Sequence, residues 1–123
     1  MNSFASMCLI NEQGRFVSKV LPRLAQISSI NGIACSDFNA DGIKDLVIAG
    51  NLYSSEVETT RNDASEGMVL LGKGTGEFIE MPIKSSGFNA GGDVKDVKIL
   101  NKGKNKLVLV TNNNRSMQAF KFK

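Results

Sequence analysis

Residues 37 to 45 read Asp-Phe-Asn-Ala-Asp-Gly-Ile-Lys-Asp, and the run that follows, Leu46-Val47-Ile48-Ala49, is short, apolar and rich in β-branched side chains. Together they restrict the fold. A hard cation such as Ca²⁺ takes several oxygen ligands from a short loop with a turn-forming Gly. Asp37, Asn39, Asp41 and Asp45 offer side-chain oxygens at alternate positions and Ile43 a main-chain carbonyl, with Gly42 directly after the third ligand. An EF-hand would carry a bidentate Glu at its twelfth position and helices on both sides. That position is Ile48, inside a run that predicts a buried strand. The loop therefore joins strands, which excludes an EF-hand and argues against dockerin-like modules. The competing reading is a polar turn, since Asn, Asp and Gly are ordinary turn residues. Three acids and an Asn in strict register favour one bound Ca²⁺.

The rest of the chain repeats this organisation. Gly14-Arg15-Phe16 recurs as Gly76-Glu77-Phe78, Leu21-Pro22 as Met81-Pro82, Gly32 as Gly92, Asp45-Leu46-Val47-Ile48 as Lys106-Leu107-Val108-Leu109, and Asn51 as Asn112. A period near sixty residues is the mark of a repeat architecture. Repeat one covers 1–61 with its metal loop at 37–45. Repeat two covers 62–123, where Leu100-Asn101-Lys102-Gly103-Lys104-Asn105-Lys106 matches the loop and lysines replace Asp41 and Asp45. An ammonium there is expected to take the place of a dication, leaving one metal site. Strands are predicted at 4–10, 16–21, 33–36, 46–49, 68–71, 78–82, 94–99, 107–110 and 116–122. No segment keeps helical periodicity over ten or more residues, so the fold class is all-β. Leu71-Gly72-Lys73-Gly74-Thr75-Gly76 is a hairpin turn and not a phosphate loop, because a strand pattern follows it where a phosphate loop must open a helix.

Composition narrows function further. A chain of 123 residues forms one domain, and no apolar stretch reaches the length of a membrane span. Histidine is absent, which removes the usual general base of Ser and Cys hydrolases and the commonest zinc ligand. Cys8 and Cys35 read as buried free thiols, although one disulfide is permitted. The N-terminus has no basic segment before its apolar stretch and is not a signal peptide; Met1 reads as an artificial or truncated start. Eight basic residues and one acid lie in 95–123, against seven basic and eleven acidic residues before them. No nucleic-acid motif accompanies this charge, so it reads as a solvated strand face whose lysines block edge-to-edge pairing.

The strand, Asp-x-Asn-x-Asp-Gly-x-x-Asp loop, strand pattern over 37–51 resembles the FG-GAP or VCBS repeats of integrin-α-like β-propellers. Further stretches, among them 50–53, 61–65, 71–78, 86–88, 92–96 and the tail 112–123, are similar to the last repeats of bacterial VCBS proteins of the ASPIC/UnbV group. The resemblance implies four-stranded antiparallel blades, Ca²⁺ between the first two strands of a blade, and an extracytoplasmic, often surface-bound, parent protein. It also implies a partial propeller, with the last two strands of one blade, a full blade from about Gly32 to Ile83, and the opening strands of a third. Such a chain does not close a ring alone. Its ends pair within the chain, or copies associate through open blade edges.

The expected function is a non-enzymatic, Ca²⁺-stabilised module that binds a protein or glycan partner. The polar loop from Tyr53 to Glu66, with Glu56, Glu58, Arg61 and Asp63, supplies the candidate contacts. The alternatives are a purely structural piece of a larger propeller, or a Ca²⁺-dependent carbohydrate-active hydrolase using Glu56, Glu58 and Asp63. The last lacks a placed acid–base pair and any Trp to stack a sugar.

Overall fold

A computed structural model describes residues 3–103 and 105–122. Among them the chain forms nine strands: β1 Met7–Glu12, β2 Arg15–Val20, β3 Ile30–Ser36, β4 Asp45–Gly50, β5 Met68–Gly72, β6 Phe78–Met81, β7 Val94–Lys102, β8 Asn105–Asn112 and β9 Gln118–Phe122. One turn of 3-10 helix, Arg23–Gln26, and one of α-helix, α1 Ile83–Ser86, follow Pro22 and Pro82, whose fixed φ suits a helix start. The strands make three antiparallel meanders, β1-β2, β3-β4-β5-β6 and β7-β8-β9. The first turns through Gln13 and Gly14, both at positive φ, as a two-residue hairpin of matching twist requires. No helix among the described residues is long and apolar enough to cross a membrane.

Alternation along β4 sends its side chains to two cores, one on each face of the central sheet. Ile48 joins Leu70, Leu21, Ala25 and Cys8 against the first sheet. Val47 and Ala49 join Val69, Phe88, Val97, Val108, Val110 and Phe122 against the third. Phe38 and Phe122 close one end of that second core with ring centroids 4.8 Å apart. Phe120 packs on it too, so the aromatics of the basic tail face inward while Lys121 stays exposed. The central and third sheets approach so closely that a Cβ on Gly32 would lie 2.6 Å from a Val97 methyl.

The third sheet departs from the sequence repeat. Val47 and Val108 occupy matching repeat positions, yet both point into the one core between their sheets. Blades related by rotation about a ring axis would each turn the same face forward. The hairpins differ as well: Ser36 pairs with Asp45 across an eight-residue loop, whereas β7 and β8 stay paired down to Lys102 and Asn105. The expected degenerate loop at 100–106 is therefore mostly strand. Of Lys102 and Lys106, the lysines matched to Asp41 and Asp45, Lys102 lies outside the side chains described. Lys106 instead places its Nζ 5.7 Å from the Phe38 ring centroid. The cysteines are free, as expected, but not buried: Cys8 is half-buried and Cys35 exposed, because the two-stranded first sheet covers only part of the central one.

Candidate functional sites: the acidic loop and the long loop behind it

Between β3 and β4 the chain winds on its own carboxylates. Asp37 accepts hydrogen bonds from the amides of Asp41 at 3.3 Å and Gly42 at 2.9 Å. Asn39 Oδ1 accepts from the Asp41 amide at 3.1 Å, and Asp41 Oδ1 from the Ile43 amide at 2.7 Å. The turn places Ala40 at φ 62° and Gly42 at φ 85°, where glycine is unstrained. Burial pushes the Asp37 carboxyl up, but the amides of Gly42, Ala40 and Asp41 and the nearby Lys106 ammonium outweigh it and hold it below its ordinary value. The half-buried Asp37 thus stays ionised at the base of an exposed, preformed turn.

The five expected ligands do not all gather. Asp37, Asn39 and Asp41 share the turn, with Asn39 Nδ2 donating to Asp41 Oδ2 at 2.8 Å. Asp45 is fully buried at the start of β4 and braces two segments: Oδ2 accepts from the Phe38 amide at 2.7 Å and Oδ1 from the Gly72 amide at 2.9 Å. The fit is close, since a Cβ on Gly72 would stand 2.2 Å from the Lys44 carbonyl oxygen. Among the described residues no three Asp, Glu or Cys side chains form a group able to hold a metal ion. In donor chemistry the loop still suits a hard cation. It offers oxygens only, and each Asp45 oxygen keeps a second lone-pair site beside the amide it accepts.

A second polar centre sits at the other end of β4, where a sequence reading sees only a recurring Asn. Asn51 is fully buried at φ 116°. Its Oδ1 accepts from Ser28 Oγ at 2.6 Å and the Ser65 amide at 3.0 Å, and its Nδ2 donates to the carbonyls of Ser65 at 2.8 Å and Gly92 at 3.0 Å. Asn31 ties the Asn51 and Val94 carbonyls together. This knot fastens both roots of the 52–66 loop to the junction of the central and third sheets. Beyond it the loop narrows to a finger. Leu52 and Asn62 exchange main-chain hydrogen bonds, and Arg61 stacks 4.4 Å over the Tyr53 ring while pairing with Asp63 at 3.3 Å. A turn from Glu56 to Thr59 leaves Val57 fully exposed at the tip. Glu56, Glu58 and Asp63 stay exposed on this finger.

Compared with protein-family models, curated proteins and solved structures, the chain matches none. Function must therefore be argued from these two loops.

Next to the knot, Asp93 is buried. The Lys95 ammonium at 2.8 Å lowers its pKa, burial opposes this, and the Asn113 side chain and Tyr53 amide lower it further. Asp37 and Asp93 both ionise more readily folded than unfolded. Their stabilisation is therefore complete above the unfolded value of 3.8 and is lost as pH falls through the lower folded values. In chelator, the urea midpoint is expected to drop on acidification below that value, and less so in Asp93→Asn. An acid limb identical in parent and variant would show that Asp93 contributes nothing to it.

Proposed function

We propose that the chain is a non-enzymatic, Ca²⁺-stabilised β module of the FG-GAP or VCBS type, extracytoplasmic in its parent protein, which meets a partner through the 52–66 finger. The observation that carries this is the acidic turn: a preformed, oxygen-only loop between two strands, with its first carboxylate held ionised by loop amides. Asp37, Asn39, Asp41, the Ile43 carbonyl and Asp45 would hold the cation. The bound ion supplies charge neutralisation that locks the turn. The four-stranded meander, with this loop between its first two strands, supports a blade-like reading of the central sheet. The reversed facing of β8 sets the third sheet apart from it. No acid–base pair is assembled on the finger, which favours binding over hydrolysis.

Calorimetric titration of the apo chain is expected to show one Ca²⁺ per chain. Zero uptake, or two equivalent sites, overturns the reading. Asp41→Ala is expected to erase the gain in melting temperature that Ca²⁺ gives while changing little in chelator. At a hundredfold excess over Kd that gain corresponds to about 2.7 kcal/mol for a ligand bound only by the folded state. Equal losses in both conditions would make Asp41 a turn residue alone.

A further inference from the structure

The finger has a matching receptor on the same molecule. On the outer face of the third sheet, Leu100, Leu107 and Lys121 stand in one cross-strand row, and Lys98, Leu109 and Ala119 in the next. Leu100, Leu107, Lys106, Lys121, Asn101 and Asn105 line an open groove of about 600 Å³ there. Its floor is apolar and the ammonium beside it is that of Lys121, because Lys106 stands opposite Phe122 on the other face and turns toward Phe38. Leu100 is 51% exposed, a large apolar side chain left uncovered beside that ammonium group. The finger presents the inverse: fully exposed Val57 between the exposed carboxylates of Glu56 and Glu58. Among the described residues neither glutamate is ion-paired.

Position keeps the two apart within one chain. The groove opens at the β7–β8 hairpin end, which Lys106 ties to the acidic loop through Phe38. The finger springs from the opposite end of β4, beyond Asn51. A chain with a plug at one end and its socket at the other is built for head-to-tail contact. The finger's roots are ordered by the Asn51 knot, so little ordering entropy remains to be lost on docking.

We infer that the Glu56-Val57-Glu58 finger of one copy docks into the Leu100–Leu107 groove of a second copy, Val57 on the leucines and the glutamates about Lys121. This deepens the partner reading given above by naming the partner, and it stands independently of the Ca²⁺ site. One three-residue tip in an open groove is a small contact beside the roughly 1,000 Å² of a stable interface, so it is weak and reversible.

Sedimentation velocity across a concentration series, with Ca²⁺ present throughout, tests it. The parent is expected to shift to faster species as concentration rises, and Val57→Asp to remain monomeric. Glu58→Lys and Lys121→Glu each weaken association on the order of tenfold by opposing like charges. Mixed in equal amounts, those two variants are expected to associate again, because finger and groove then find opposite charge in each other. Unchanged melting temperatures confirm folding, and unchanged Ca²⁺ titrations separate this result from the fate of the metal reading. A parent that stays monomeric to millimolar concentration overturns the inference. So does association that none of the substitutions alters, or a mixture that stays monomeric.

Discussion

Replacing Asp45 by alanine is expected to lower the free energy of unfolding by about 2–5 kcal/mol in chelator, because it strands two amide donors, each costing about 1–3 kcal/mol when buried without an acceptor. Those donors are the Phe38 and Gly72 amides, both bonded to a carboxylate that is fully buried. In Ca²⁺ the loss grows, since the substitution also removes a proposed ligand. Asp41→Ala behaves the opposite way, with its effect confined to Ca²⁺. Urea unfolding of both variants in both conditions, at constant m-value, separates a brace from a ligand. An Asp45→Ala chain as stable as the parent in chelator would refute the brace. Gly72 limits what compensates: its close approach to the Lys44 carbonyl leaves little room for a water beside the freed amide.

Much of this was legible in the chain, and the failures have physical causes. Each of the nine predicted strands overlaps an observed one, the first least, since residues 4–6 of its predicted span precede β1. The two helical turns were too short to show a period, and only the prolines before them gave a signal. Facing was not legible. Sequence matching aligns Val47 with Val108, but side chains alternate with a period of two, so an alignment one residue out reverses which face is covered. Pairing continues to Lys102 and Asn105 where the matching segment of repeat one spans a loop from Ser36 to Asp45. The acidic loop showed its donors in sequence, but not that Asp45 turns inward. Spacing counts oxygens, and the Gly72 amide that captures one of them lies in another strand.

Asn51 is the position where local sequence said least and the expected effect is greatest. Its side chain satisfies Ser28 Oγ, the Ser65 amide and the carbonyls of Ser65 and Gly92, joining the loop roots to both large sheets. Asn51→Ala removes all four hydrogen bonds from a site with no solvent access, and it also leaves a Cβ-bearing residue without side-chain support at φ 116°. With unsatisfied buried groups at about 1–3 kcal/mol each, partly relieved by relaxation, the expected loss is about 4–6 kcal/mol. Asn51→Gly loses the same bonds but accepts the backbone angle, so it should recover about 1–3 kcal/mol of the alanine variant's loss. Since ordinary domains have only about 5–15 kcal/mol to lose, the alanine chain is expected near its unfolding threshold at room temperature. Limited proteolysis gives the local readout: cleavage between Tyr53 and Glu66 should accelerate in both variants before global unfolding, because the knot pins both roots of the finger. If either variant leaves the finger as resistant as the parent's, the loop is held by its Leu52–Asn62 bridge and the Tyr53–Arg61 stack, and the knot serves only the sheet junction.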